Sequence, residues 1–497
     1  MATKSDELIS QTSATTEPAE PAPTKPASHD TEPPAALLAF MTKDWKPPST
    51  RLPGKIRALE AFAARRRAVS ALYPGETIVV PTGHEKIRSN DTVYRFRPSS
   101  DFYYLTGNTE PDCVLVLEPL SSGGHTDILY VEPAQSRAEK TFFTDRMKGE
   151  LWVGPRLGVE QTKARFGVTE VRPLHDLAAY LGQLDPSRTR MTRGFSEATD
   201  KAVAAERNDE DKALATALSE MRLLKDAQEV RELSAAIDST QRGFEDVIAR
   251  LKTARSEREV EGIFNLRARV EGNDVGYGTI AASGPHACVL HWTRNDGALA
   301  TGDLLLLDAG VEGNTLYTAD ITRTLPISGR FSREQRAIYE LVLDAQTQAM
   351  AAVRPGNDFM EPNRVAMRVL AHGLERLGIL PTSAEEALKE EHQFYKRYSL
   401  HNVSHMLGLD VHDCAQARQE AYKFGKLKPG MVLTVEPGLY FQLDDLTVPK
   451  RYRGIGVRIE DDVLVTARGH RNLSAKIPRS VADVESWMKK IWTTRRK

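Results

Sequence analysis

Apolar positions recur along this 497-residue chain with two different spacings. Between Ala36 and Glu220 the apolar runs are short and bounded by Gly, Pro and Asp. Thr77–Pro81, Phe102–Leu105, Cys113–Leu117 and Asp127–Val131 each predict a strand, and the Arg/Ala-rich stretch Ile56–Leu72 predicts a helix before them. From Asp226 onward the spacing lengthens to three and four. Asp226 with Glu229 three residues later has the form of a capping box opening an amphipathic helix to Leu251. Ser256 with Glu259 repeats the signal, with Val260, Ile263 and Phe264 as the apolar stripe. Ser332 with Gln335 does so again ahead of Ile338, Leu341, Val342 and Ala345, and Arg354-Pro355-Gly356 supplies the stop. This change of rhythm places a domain junction near residues 218–226, between an α/β domain and a second domain of long helices alternating with strands.

The first 35 residues follow neither pattern. They hold six of the 27 prolines, two lysines against six acids, and almost nothing apolar, so they cannot bury enough surface to offset their ordering entropy. We read 1–35 as a disordered tail; it lacks the basic start and apolar core of a signal peptide. For the whole chain, 67 basic residues face 68 acidic ones, which argues against a bulk electrostatic partner such as nucleic acid. The basic end (Lys489, Lys490, Arg495, Arg496, Lys497), with only Trp487 and Trp492 beside it, reads as a solvated helix terminus. No apolar stretch approaches the roughly 20 residues of a membrane helix, so no membrane partner is expected. Cys113, Cys288 and Cys414 are odd in number and far apart, which speaks against a disulfide framework and for a reducing compartment, the cytoplasm.

Chemistry is signalled by acids lodged in apolar strands, where an ionised carboxylate is costly unless it is paired or holds a metal. Asp308 ends Leu304-Leu-Leu-Leu-Asp-Ala-Gly310, and Asp320 lies within Leu316–Thr324, where a period of two puts Thr318, Asp320 and Thr322 on one face. Glu312-Gly-Asn-Thr315 is turn-forming, so the two runs make a hairpin. Asp308 and Asp320, equidistant from position 314, are expected to oppose each other across it. Carboxylates that close repel unless a cation lies between them; alternatively, one of the two is a turn residue at a strand end. His401, His405 and His412 fall within twelve residues. Glu436 ends an apolar strand launched by Pro429-Gly430. In Gly454–Asp462 alternation places Gly456, Arg458 and Glu460 on one face. Any one of these acids could be a solvated edge residue. Together, two Asp, two Glu and one or more His are the inventory of a two-metal hydrolytic site, and oxygen-rich ligation with one imidazole suits Mn(II), Co(II), Fe(II) or Zn(II). The polar segment Arg95–Gly107 is either a loop leading to a strand or part of an active site.

The order and spacing of Asp308, Asp320, His405, Glu436 and Glu460 resemble the metallopeptidases of the pita-bread fold, and most closely the Xaa-Pro aminopeptidase (aminopeptidase P) family, with proline dipeptidase second. The likeness is carried by "TIAASGPHACVLHWT", "LLLLDAG", "TADITRTLP", "HNVSHMLGLDVHD", "GMVLTVEPGLY" and "YRGIGVRIEDD", with "SSDFYYLTG" and "CVLVLEP" matching the N-terminal domain. It implies an α/β N-terminal domain of the creatinase/aminopeptidase P type over 36–220. An α+β pita-bread catalytic domain with a curved, mainly antiparallel sheet would follow over 221–497. It implies two divalent ions, manganese first, with Asp308 on one, His405 and Glu436 on the other, and Asp320 and Glu460 bridging. A bridging hydroxide would attack the carbonyl of the first residue, with Glu436 relaying its proton. His291 and His412 would flank the scissile bond. His401, Arg458 and Tyr440 would serve the substrate pocket, Arg458 orienting a carboxylate or holding the loops and Tyr440 acting as a donor. The implied substrates are peptides with proline second, and the implied assembly is a homo-oligomer, a dimer or tetramer. Proline dipeptidase, or a non-catalytic scaffold on the same fold, is the alternative. Two departures stand out. The Asp308–Asp320 interval is one residue longer than the family's, which a bulge at Gly313 would absorb while keeping the aspartates opposed. Asn402-Val403-Ser404 replaces a glycine-led triplet before His405.

Overall fold

The computed structural model describes residues 33–47, 49–203 and 208–494. The tail expected over 1–35 lies outside them except for 33–35, as do Arg495, Arg496 and Lys497. The chain divides into two compact units, Met1–Arg51 with Pro133–Gly158, and Leu52–Glu132 with Val159–Lys497. In the smaller unit, three short helices (Ala35–Met41, Thr141–Thr144 and Glu150–Val153) are joined by local contacts. The rings of Phe142 and Phe143 meet edge to face at 4.9 Å, and Gln135 and Glu150 each donate a backbone N–H to the other's side chain.

The larger unit opens on the helix Leu59–Leu72, within the predicted Ile56–Leu72, and continues into a five-stranded sheet, in the order Glu170–Pro173, His125–Val131, Val114–Pro119, Thr77–Pro81, Thr189–Met191. The three central strands pair antiparallel and the outer two parallel to their neighbours. Ile78, Val80, Leu115, Leu117, Leu129 and Val131 pack on one face, and Val79, Val114, Val116, Ile128 and Tyr130 on the other. Because both faces are covered, these strands read as unbroken apolar runs. The predicted strand Phe102–Leu105 is instead the middle of a helix, Ser100–Thr106. Four buried apolar residues carry no period to separate the two states. The deciding signals flank them: Ser99 caps the N-terminus by accepting from Phe102 N, and Gly107 closes the helix at φ 70°.

After the junction, helix Ala227–Arg250 starts at Asp226 with both halves of the predicted capping box present, and Arg333–Ala351 starts at Ser332 in the same way. Ser256 caps Glu257–Glu271 by accepting from Glu259 N. Between the helices every ladder is antiparallel. Leu304–Ala309 lies between Ile280–Ser283 and Ile321–Pro326, Asp461–Thr466 between Val432–Val435 and Gly469–Asn472, and Gly438–Tyr440 pairs with Gly456–Arg458. Helices Arg333–Ala351 and Glu361–Arg376 bury Ile338, Val342, Leu370 and Leu374 with Leu433, Val435, Val457 and Ile459. Ala227–Arg250, Glu257–Glu271 and the last helix Val481–Thr494 bury Phe244, Phe264 and Met488 against Leu305, Leu307 and Ile321. Trp487 joins that core, so the terminal tryptophans do not form an exposed aromatic face; Trp492 donates to the Ile248 carbonyl at 2.6 Å.

The hairpin register differs from the expected one. Asp308 pairs with Thr322, not with Asp320, which is its diagonal neighbour on the same face. The reason lies in the turn. Gly313 N donates to Tyr317 O and Leu316 N to Gly313 O, both at 2.9 Å, which centres the hairpin on 315. The residue in the left-handed region is Leu316, at φ 64°, and Gly313 is not at positive φ. The extra residue is accommodated by shifting the register, without a bulge that restores the opposition of the aspartates.

Candidate metal centre

Strand ends bring the acids together. Asp308 leaves Leu304–Ala309, Asp320 precedes Ile321–Pro326, Glu436 follows Val432–Val435, and Glu460 lies between Gly456–Arg458 and Asp461–Thr466. His405 arrives on a stretch without regular structure, paired through Thr434 N to its carbonyl at 3.0 Å. All five line one cavity of about 790 Å³, together with His291, His401, His412, Arg458 and Tyr277. Asp320, His405 and Glu460 each offer a ligand atom, and these atoms lie within 4.8 Å of one another. Asp308 joins them through the Tyr277 hydroxyl, 2.7 Å from Asp308 Oδ1 and 2.5 Å from Asp320 Oδ1. Glu436 joins from the other side, its Oε1 3.6 Å from His405 Nε2.

Electrostatics mark the cluster as a cation site. Burial raises the Asp308 carboxyl; Arg458 opposes that shift and Asp320 adds to it. Burial and then Asp320, Glu436 and Asp308 push Glu460 well above the carboxylate range, and Glu436 is pushed up to about 7 by burial, against the pull of His405. Burial would lower His405, but Asp320 and Glu436 outweigh it and hold the imidazole at about 9. Crowded carboxylates thus favour positive charge at this spot, protons or divalent ions. His405 is oriented for it: Nδ1 lies 3.1 Å from the Met406 carbonyl, which can only accept, so Nε2 is left facing Asp320 Oδ2 at 3.2 Å. Four carboxylates and an imidazole with its second nitrogen so engaged form a donor set that fits hard or borderline divalent ions.

The remaining expected residues fall in two groups. Arg458 is buried and engaged with the protein itself, donating to Asp308 Oδ2 at 2.5 Å and to the Tyr440 hydroxyl at 3.0 Å, so the carboxylate it orients is that of Asp308. Tyr440 stands behind the cavity wall and donates its O–H to His401 Nε2 at 2.8 Å, because His401 Nδ1 is committed as a donor to the Asn402 carbonyl at 2.9 Å. Burial and the neighbouring Arg458 lower His401 to about 4, which keeps it neutral. His412, exposed toward the cavity, has its ring edge to face with His405 at 4.3 Å; burial and that neighbour lower its pKa. His291 is also exposed and lies on the loop after Gly284–Cys288.

Three further residues take part, none of them assigned a role from sequence, although Thr322 was placed on the Asp320 face. Tyr277 links the two aspartates. Asp462 Oδ2 accepts from Asp320 N at 3.2 Å, and Thr322 donates to Glu460 Oε2 at 2.6 Å. Asp462 stands two residues from Glu460, so the same period of two that placed Thr322 beside Asp320 marks it as well; Tyr277 has no such mark.

Comparison with known proteins gives consistent likenesses. The profile described as Metallopeptidase family M24 matches residues 231–467, and that described as Aminopeptidase P, N-terminal domain, matches residues 62–191. The chain is 54% identical to Xaa-Pro aminopeptidase 1 of Streptomyces coelicolor over 434 residues, 86% of each chain. It resembles the solved aminopeptidase PepP of Pseudomonas aeruginosa with 34% identity and a TM-score of 0.77, over 88% of this chain and 99% of that one. It also resembles aminopeptidase P from E. coli with the inhibitor Pro-Leu, with 31% identity and a TM-score of 0.79, over 89% and 100%.

Proposed function

This chain belongs to metallopeptidase family M24, and from that premise we propose that it is a metal-dependent aminopeptidase hydrolysing the bond between an N-terminal residue and a following proline. The observation that carries the reading is the convergence of Asp308, Asp320, His405, Glu436 and Glu460 on one cavity that His291 and His412 also line. Asp308 would hold one divalent ion, His405 and Glu436 the other, with Asp320 and Glu460 shared, and manganese is the expected metal. Bound there, such ions supply Lewis-acid polarisation and a water of lowered pKa.

The protein's own groups do the rest. Glu436 takes the proton of the attacking water and returns it to the proline nitrogen, which carries no hydrogen and leaves readily only once protonated. His291 and His412 hydrogen-bond the carbonyl oxygen as it gains charge. His401, Arg458 and Tyr440 form a bonded chain that shapes the pocket and fixes Asp308. We further read the chain as a tail over 1–35, an N-terminal α/β domain over 36–220 and a catalytic domain over 221–497, working as a cytoplasmic homo-oligomer, a dimer or tetramer. Three buried free cysteines support a reducing compartment. Among the described residues no helix is long and apolar enough to cross a membrane.

The test is to strip metal with a chelator, restore it, and compare Xaa-Pro-Yaa tripeptides with Xaa-Pro dipeptides. Metal-restored cleavage of the tripeptides is expected. Cleavage of dipeptides alone moves the reading to proline dipeptidase, and no cleavage of either to a non-catalytic scaffold. Glu436→Gln is expected to abolish turnover; near wild-type rates would overturn its proton role.

A further inference from the structure

The polar segment before Gly107 has a use that lies outside the metal cluster. Arg97 donates from Nε to Glu312 Oε2 at 2.6 Å and from Nη2 to the Leu409 carbonyl at 2.6 Å, with Nη2 also 3.3 Å from Asp410 Oδ1. Ser100, bonded to Arg97 Nη1 at 3.2 Å, donates to the same Asp410 oxygen at 2.7 Å. Arg222 bridges Asp101 and Asp413, reaching Asp413 Oδ1 from Nε at 3.0 Å, and Lys225 reaches Asp413 Oδ2 at 3.1 Å. His412 therefore stands between Asp410 and Asp413, both tied to groups far away in sequence. Glu312, the other end of the Arg97 clamp, is buried in the hairpin between Asp308 and Asp320. One guanidinium thus joins the hairpin that carries two metal-site acids to the loop that carries His412. Its planar fork does this with bonds in fixed directions, which an ammonium would not reproduce.

We propose that Arg97, in the N-terminal half, is a positioning residue for His412: it fixes the Leu409–Asp410 backbone, and with it the place of the imidazole that follows, without touching substrate. This rests on the reading of His412 as a group that meets the scissile carbonyl. It gives the N-terminal domain a part in the reaction through geometry, since a small misplacement of a group at the reacting centre is costly.

The experiment is a double-mutant cycle on the metal-loaded, full-length enzyme with an Xaa-Pro-Yaa tripeptide. Arg97→Gln is expected to lower kcat by about tenfold to a hundredfold with KM changed by less than about threefold. In a His412→Ala background the same change is expected to cost less than about twofold, because the group it positions is gone. Arg97→Lys is expected to restore only part of the loss. Ser100→Ala, a milder variant that keeps the charge clamp, is expected to give a smaller loss that also vanishes in the His412→Ala background. Amide hydrogen exchange supplies a second readout: Gly408–Cys414 exchanges faster in Arg97→Gln while Val432–Val435 is unchanged. Equal losses in both backgrounds, or unchanged exchange and kcat in Arg97→Gln, overturn the proposal. A His412→Ala enzyme with wild-type kcat overturns the reading of His412 itself, and Arg97 with it.

Discussion

His291 and His412 reach the same cavity on loops secured by different chemistry. The His291 loop is held by Glu257, in the first turn of helix Glu257–Glu271 and 0% exposed. Its Oε1 accepts from Ser283 N at 2.7 Å and His286 Nδ1 at 2.8 Å; its Oε2 accepts from Trp292 Nε1 at 2.8 Å and Gly297 N at 2.7 Å. The His412 loop is held by Asp413, 1% exposed, through Arg222, Lys225 and the Cys414 N–H. In both places a glycine lets the backbone close on the carboxylate. A Cβ on Gly297 would lie 2.7 Å from the His286 ring, and one on Gly408 would lie 2.1 Å from Asp413 Oδ2. The first arrangement is local in sequence and saturates a carboxylate with N–H dipoles. The second balances charge with side chains nearly two hundred residues away. Directional donors make a loop sensitive to the shape of its acceptor; cations make it sensitive to the acceptor's charge.

The largest effect should come from Glu257→Ala. Each buried donor left without a partner costs about 1–3 kcal/mol, so with partial relaxation we expect a loss of roughly 4–6 kcal/mol in denaturant unfolding. Glu257→Gln keeps the shape and one acceptor oxygen but turns an NH2 group toward two donors, and should still lose about half as much. If Gln proves as stable as wild type, the directional account of this loop fails.

Asp413→Asn tests the other side. It leaves the Lys225 ammonium, also 1% exposed, without its counter-charge, and should cost about 3 kcal/mol. Acid sharpens the contrast. Burial alone would raise the Asp413 carboxyl, but Lys225 and Arg222 outweigh it and hold the group below its ordinary range. A carboxyl depressed on folding stabilises the folded state above its unfolded pKa and loses that contribution as pH falls through the folded value. The stability gap between wild type and Asp413→Asn is therefore expected to be full near neutrality and to close only in acid below the usual aspartate range. A gap independent of pH would show that charge is not what holds this loop.

The two regions were unequally legible in sequence. Asp308, Asp320, Glu436 and Glu460 are legible only as a set: each alone passes for a turn or solvated edge residue, but four acids at the ends of apolar runs, with a histidine cluster beside them, do not. Glu257 is not legible, since an acid in the first turn of a helix is what the helix dipole favours anyway. Tyr277 lies in a bend three residues before the strand Ile280–Ser283, and a lone tyrosine ahead of an apolar run reads as ordinary core. The hairpin register was hidden because the left-handed residue is Leu316, a bulky side chain where Gly or Asn is expected. Helices Ala227–Arg250 and Arg333–Ala351 announce themselves through their caps, whereas in Ser100–Thr106 four apolar residues without a period mask the caps at Ser99 and Gly107. Arg97 and Asp413 could be found only once the fold had joined them.

The smallest expected effect isolates the donors themselves. His286 gives Glu257 one N–H and stacks its ring on Trp292 at 3.9 Å, the two planes 25° apart. His286→Asn keeps an N–H at nearly the same distance from the backbone and deletes the stack, so it should cost under about 1 kcal/mol, the value of a ring contact at a partly exposed site. His286→Ala deletes both and should cost about 1–2 kcal/mol. His286→Asp sets a carboxylate against Glu257 Oε1 and should cost more than either. The order Asn, Ala, Asp would place the hold on the His291 loop in the N–H groups that converge on Glu257. If Asn costs as much as Ala, the loop is held by the stacked rings, and its difference from the charge-held loop of His412 is one of packing against ion pairing.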